Sequence, residues 1–376
     1  MTDADPPAAR RERFHFLDVA RALLMLLGIP FHAALVYAHT SWIVDSPDTL
    51  PGLAWFPTAL STFRMPGFFV IAGFFAAMIL QRRPARAWLR SRVVRLGLPL
   101  LTGAAVIVPL QNLMLHDGPA GAARVPVLAG PLILSHLWFL PVLLILSAML
   151  ALGWSRLSRL HWPDLPVWAI GLICALWNLA LRAEYTFPGW KLTLLDGLLD
   201  LEAVLIYAPF FLLGAVARCN PATFARLRTW SWPTAALGLA AAVAYVATYH
   251  AQDRPHIVIE VMSAGFAAVC ISQALLALLA RIADRAIPAV DRLVDASFSI
   301  YLFHHPIIIA LALMLVPVRF PPLVEWIAIC LATLALSYGL HRLLRRSTLL
   351  LFLFNGVPPR RPWDASAKGI SARLPS

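Results

Sequence analysis

Apolar residues in this chain come in ten blocks of 17 to 25 residues, separated by short stretches that carry nearly all the charge. The blocks run over 15–38, 58–80, 96–115, 131–153, 165–182, 201–217, 232–250, 256–280, 297–317 and 321–341. About 20 apolar residues in a helix span the hydrocarbon core of a bilayer, so each block is long enough, or nearly so, to cross. The sixth has the weakest boundary, because Asp200 and Glu202 sit at its start. The pattern predicts an all-α polytopic membrane protein with about ten transmembrane helices.

The basic residues orient these helices. With the N-terminus in the cytoplasm, inside loops and the tail hold 24 Lys/Arg and outside loops hold five, Arg124, Arg182, Lys191, Arg254 and Arg319. Cytoplasmic loops are enriched in Lys and Arg, so this asymmetry predicts both termini cytoplasmic. It divides the chain into a cytoplasmic segment 1–13, a transmembrane domain 14–345 and a partly disordered cytoplasmic tail 346–376. Met1–Arg13 is polar and the first apolar block continues as a full span, so no cleavable signal is expected.

Composition agrees: 60% of residues are apolar, 13% are charged, and mean hydropathy is +0.75. A net charge of +12 raises nucleic acid as a partner. The charge is spread over short loops rather than one stripe, which topology explains and nucleic-acid binding does not. Cys174, Cys219, Cys270 and Cys330 are too far apart in sequence to suggest a disulfide framework or metal spacing. No P-loop, Gly-x-Ser-x-Gly, His-Glu-x-x-His or Gly-x-Gly-x-x-Gly is present, which argues against a nucleotide-driven pump and a zinc hydrolase.

Charged and titratable residues inside spans are costly and usually mark working sites. The first block holds two, Arg21 and His32, about 16 Å apart along a helix. Gly28 and Pro30 predict a kink beside His32. A lone intramembrane histidine is explained equally well by a hydrogen bond to a neighbouring helix, but His32 has company. Arg64, His136 and Glu325 all open spans on the same outer side. Together they predict a polar outer cavity, with Trp42, Trp138 and Trp326 as interfacial anchors or a stacking surface for sugar rings. His304 and His305 lie mid-span before Pro306, with His304 favoured to face the interior. At the inner end, Arg21 can pair with Asp18 on one helical face. Arg92 and Arg95, three residues apart at the mouth of the third span, form a fork suited to phosphates. Arg82, Arg83 and Arg86 are explained by topology alone.

These residues resemble the integral-membrane acyltransferase-3 family. Arg21, ten residues and His32 resemble its first-helix signature. Phe68-Phe-Val-Ile-Ala-Gly-Phe74 is similar to its Phe-Phe-x-x-Ser-Gly-Phe motif, with Ala72 in place of the usual Ser. Arg92-Val-Val-Arg95 resembles its Arg-x-x-Arg, while His136-Leu-Trp138 and Ser299-Ile-Tyr-Leu-Phe-His304 match later helices. Leu26-Leu-Gly-Ile-Pro-Phe-His32, Phe63-Arg-Met65 and Ser135-His-Leu-Trp-Phe139 resemble the branch that succinylates osmoregulated periplasmic glucans. The matches cover residues 14 to about 345.

The resemblance implies a bacterial inner-membrane O-acyltransferase that takes an acyl group from cytoplasmic acyl-CoA, as co-substrate rather than resident cofactor, and delivers it to a periplasmic glucan. No metal is expected, and neighbouring glucan-synthesis membrane proteins are candidate partners. In this scheme Arg92, Arg95 and Arg21 hold the donor phosphates and His32 is the general base. Arg64 or His136 stabilises the oxyanion, and Arg64 also selects a succinyl over an acetyl group. Glu325, His304, Trp138 and Trp42 line the acceptor cavity, and Ser135 and Ser299 are the candidate acyl relays. Two other readings remain: O-acetylation of another surface polysaccharide, and a proton-coupled transporter, against which the chain shows no repeated halves and no paired broken helices.

Overall fold

The computed structural model describes residues 13–38, 42–116, 134–186, 193–194, 199–251 and 253–358. The segment 1–12, most of the tail, and the loop residues Arg124 and Lys191 lie outside them. The helices are α1 (His15–Leu26), α2 (Gly28–Leu35), α3 (Pro51–Ser61), α4 (Arg64–Leu80), α5 (Ala85–Arg92), α6 (Leu98–Thr102), α7 (Val108–His116) and α8 (Phe139–Leu157). They continue with α9 (Val167–Thr186), α10 (Leu201–Cys219), α11 (Pro221–Arg228), α12 (Trp232–Thr248), α13 (Arg254–Ile282), α14 (Pro288–Leu315), α15 (Pro322–Leu344) and α16 (Thr348–Asn355). The only strands among the described residues are β1 (Thr193–Leu194) and β2 (Leu199–Asp200), paired antiparallel.

All ten apolar blocks are helical over most of their described residues. Eight of the resulting helical segments are long and apolar enough to cross a membrane, and α11 with α12, bent by 73°, make a ninth if taken as one span. The remaining block forms the shorter apolar helix over Val167–Arg182. The protein is a multi-pass, all-α membrane protein.

Proline shapes the spans where the sequence places it. The first span breaks at Leu27, between α1 and α2, just before Pro30. The third span widens twice into π turns, at Val93–Gly97 and Gly103–Ile107. Each turn contains the residue four positions before a proline (Arg95 before Pro99, Ala105 before Pro109). A proline ring clashes with the carbonyl four residues back and cannot bond to it, and a wider turn relieves both problems. Arg95 therefore lies in a π turn rather than in the regular α register expected for the Arg92/Arg95 fork.

Close helix contact depends on small residues, because lipid tails give apolar helices no net reason to associate. The α4–α10 crossing shows this most clearly. A Cβ on Gly73 would overlap the Phe211 carbonyl oxygen, and one on Gly214 would overlap the Val70 carbonyl oxygen. Both obstacles are backbone and cannot swing away. Gly73→Ala should therefore destabilise the protein by about 3 kcal/mol, the upper end of overpacking costs. Thermal unfolding in detergent checks this against Gly153→Ala, where a Cβ meets nothing within 4 Å and no loss is expected.

Part of the expected tail is structured. Thr348–Asn355 is the apolar helix α16, capped by the Ser347 hydroxyl, which accepts from the Leu350 amide. It packs on α6, where the Thr102 hydroxyl donates to the Leu353 carbonyl. The seven residues before Asn355 form the run Thr-Leu-Leu-Leu-Phe-Leu-Phe, which needs cover rather than water.

Candidate active site

Pro306 gives α14 a spare acceptor. It has no N–H to offer the Leu302 carbonyl four residues back, and His136 Nε2 takes that bond instead, at 3.0 Å. A carbonyl only accepts, so His136 carries its proton on Nε2 and, when neutral, leaves Nδ1 bare. His136 is also gripped from its backbone, since the Tyr301 hydroxyl donates to its carbonyl. The preceding Ser135 has φ 47°, a left-handed conformation that costs a non-glycine residue on the order of 1 kcal/mol. That cost is borne next to a ring clamped at both ends.

His304 follows the same logic. Its Nδ1 donates to the Tyr301 carbonyl at 2.5 Å, so a neutral ring presents Nε2 as a free lone pair. That atom is buried without a hydrogen-bond partner and lies against Gly28 of the first span. His32 completes the group, with ring centroids 5.3 Å from His304 and 4.9 Å from His305. His305 in turn stacks on His136 at 4.7 Å with planes 14° apart. Trp42 stacks on His32 at 6.0 Å and meets His305 edge-on at 5.4 Å.

Four imidazoles from three spans thus share one site. His304 and His305 are both buried, so the choice between them made from sequence does not arise: both face the interior. His32 is only half-buried, which makes it the imidazole most open to a ligand. Among the described residues, no three His, Cys, Asp or Glu side chains are grouped so as to hold a metal ion.

Arg64 closes the site from the start of α4. Its guanidinium lies 4.5 Å over the Phe31 ring, and Nη1 reaches the same Gly28 that His304 touches. It is 8% exposed, and among the described residues no carboxylate pairs with it. A cation buried without a counter-ion is a place for an anion or a developing negative charge.

Two expected members of this site lie elsewhere. Glu325 is buried, but its oxygens accept from the Tyr37 hydroxyl at 2.9 Å and the Phe320 amide at 2.8 Å. It ties α15 to the first span and to the loop before it, rather than lining a cavity with His32. Its neighbour Trp326 donates to the Pro30 carbonyl at 3.2 Å. Trp138 stacks on Tyr207, which stacks on Phe69, forming an aromatic column apart from the histidine rings. Ser299 is also engaged, holding Asn355 and His341 Nδ1 at 2.9 Å, so its hydroxyl is not available to the histidines.

At the opposite, arginine-rich end, Arg21, Arg92 and Arg95 line one cavity of about 720 Å³. Arg21 also lies 3.3 Å from Asp18, as one sequence reading expected. Arg13, Asn355 and Val357 border the same cavity, so both described ends of the chain meet there. A second cavity of about 1060 Å³ beside it is lined by Trp88, Arg82, Arg90 and again Arg92 and Arg95. The first cavity runs inward to Met25, Phe68 and Phe139. Phe139 meets Tyr301 edge-on at 4.5 Å, so one aromatic layer separates the cavity from the residues that clamp His136 and His304.

Sequence reasoning missed Tyr301, Phe31 and Asn355. A tyrosine three residues before His304 was visible, but nothing in the sequence says that its hydroxyl crosses to His136. The value of Pro306 is testable. Pro306→Ala restores an N–H that competes for the Leu302 carbonyl, freeing the His136 ring. A lost hydrogen bond of about 1 kcal/mol predicts a roughly five-fold lower rate in an assay of the acyl transfer that the resemblance implies, with no loss of thermal stability.

Comparison with known proteins gives the family. The model of the acyltransferase domain Acyl_transf_3 matches residues 14–342. Glucans biosynthesis protein C from Salmonella paratyphi B is 32% identical over 382 residues, covering 95% of this chain and 98% of that protein. The proteins of the same name from Salmonella enteritidis PT4 and Salmonella gallinarum match to the same extent. No solved structure matches significantly. The chain belongs to the acyltransferase-3 family and is a membrane acyltransferase.

Proposed function

We propose that this protein moves a succinyl group from cytoplasmic acyl-CoA to hydroxyls of a periplasmic glucan, in the bacterial inner membrane. The observation that carries this reading is the pairing of two unlike sites in one bundle. An arginine-lined cavity at one end suits the phosphates of a CoA thioester. A cluster of four imidazoles beside an unpaired arginine suits acyl transfer to a hydroxyl. The name carried by the Salmonella relatives supports a glucan as the acceptor.

In this mechanism Arg92 and Arg95, with Arg21, hold the donor with its acyl arm pointing past Phe68 and Phe139. The glucan enters beside Trp42, the indole that stacks on His32. His32 takes the proton from the attacking hydroxyl as its oxygen bonds to the thioester carbon. Arg64 or His136 stabilises the negative oxygen of the tetrahedral intermediate. The carbon–sulfur bond then breaks, the sulfur leaves with the proton, and an ester and free CoA result. Arg64 is the cation placed to bind the distal carboxylate that distinguishes succinyl from acetyl.

The test uses purified protein in proteoliposomes, with succinyl-CoA labelled in the acyl group and linear glucan on the opposite face. Label on the glucan ester is expected. Absence of label on the glucan would overturn the glucan-succinyl reading, and proton-driven solute uptake with no binding of acyl-CoA would replace it with a transporter.

A further inference from the structure

The outward face of α15 changes character along its length. Val324, Ile327, Leu331 and Leu334 form a stripe at helical spacing, 55%, 44%, 64% and 36% exposed. In a membrane protein such a stripe meets lipid tails. Beyond the stripe, at the arginine-rich end of α15, stand exposed Arg342 and Arg345, half-buried Tyr338 and buried His341. With Arg292 of α14, these four residues line a cavity of about 330 Å³.

The charges there are not balanced by protein. Arg345 lies 3.0 Å from Asp295, and Arg292 Nε donates to the Pro288 carbonyl at 3.3 Å. Arg342 has no hydrogen bond or ion pair among the described residues. One carboxylate therefore faces three guanidinium groups. His341 is 3% exposed and anchored from behind by Ser299, and its Nε2 lies 3.5 Å from the same Asp295 that pairs with Arg345. A cavity lined by three guanidinium groups with a single carboxylate at its edge suits an anionic, oxygen-rich ligand.

We infer that this cavity binds the headgroup of an acidic phospholipid, with the acyl chains lying along the α15 stripe. Arg342 and Arg292 meet the phosphate, while Tyr338 and His341 meet its glycerol oxygens. The apolar stripe separates this ligand from a free phosphate, because only a lipid uses both halves of the surface. Basic pockets between helices at the headgroup level recognise such lipids by charge and fork geometry. The lining of this cavity shares no residue with that of the proposed donor cavity, from which Asp295 separates it, and the inference does not rest on the acyl-transfer reading.

The experiment uses the full chain in phosphatidylcholine nanodiscs titrated with fluorescent phosphatidylglycerol. Each guanidinium near an anionic headgroup contributes about a factor of five, so Arg292→Gln with Arg342→Gln should weaken binding about 25-fold. Arg319→Gln, at the other end of the bundle, should leave it unchanged. Inorganic phosphate at equal concentration should not displace the lipid. The inference is overturned by equal preference for phosphatidylcholine, by unchanged binding in the double variant, by an equal loss in Arg319→Gln, or by displacement with phosphate. A photoactivatable phosphatidylglycerol on the unmodified chain provides a check that needs no variant to fold: label should map to residues 324–345, and label only elsewhere would also overturn it.

Discussion

His32→Ala is expected to abolish acyl transfer while leaving expression and membrane insertion intact. Insertion is governed by the apolar blocks and by the arginines of the loops, none of which the substitution touches. Positioned general-base catalysis contributes about 10²- to 10⁴-fold, so the rate should fall by at least a hundred-fold. His32 is the partly open member of the four-histidine group, and the rings of His304 and His305 lie within 5.3 Å of it. A transfer assay on reconstituted protein decides the point. If activity survives His32→Ala and disappears in His304→Ala, the base is His304, whose Nε2 is already free. Appreciable transfer in both variants would remove the imidazoles from the chemistry.

Arg64→Ala is expected to reduce succinyl transfer about ten- to a hundred-fold, the worth of a hydrogen bond to a charged group in a buried site. Acetyl transfer should fall less, because acetyl lacks the distal carboxylate that the guanidinium would hold. The readout is the ratio of kcat/KM for succinyl-CoA and acetyl-CoA in the two proteins. An equal loss for both donors would leave Arg64 as an oxyanion group only and remove it from acyl selection. Arg64→Lys should recover part of the activity, since charge is retained without the planar fork that sits over Phe31.

The sequence carried much of this site because its signals are costly ones. Arg21, His32, Arg64, His136 and the His304–His305 pair stood out because apolar blocks exclude such residues unless they are needed. The structure brings His32, Arg64, His136, His304 and His305 into one group, and places Arg21, Arg92 and Arg95 on one cavity. The depth of a residue along its span does not say which neighbour its side chain meets. Glu325 opens its span on the side expected of a cavity residue, but a helix face also has a direction around its axis, and that direction points to Tyr37. Trp138 sits two residues from His136 yet turns to Tyr207 for the same reason. The prolines and arginines beyond residue 357 predict a disordered tail, but the apolar run before them folds as α16.

Hydropathy and charge by themselves determined that this protein is a bundle of membrane-spanning helices, which residues in it are expensive, and where proline interrupts a helix. These are local quantities, set by each residue's transfer cost and by the hydrogen bond that proline cannot make. Only the tertiary structure decided which carbonyl freed by proline serves which imidazole, and so which nitrogens of His136 and His304 are left bare. The same holds for the closure of α16 over the arginine cavity and for the unbalanced guanidinium groups beside α15. These depend on how each helix is rotated against its neighbours. That rotation follows from contacts between distant residues, such as the Gly73–Gly214 crossing, which no single apolar block encodes.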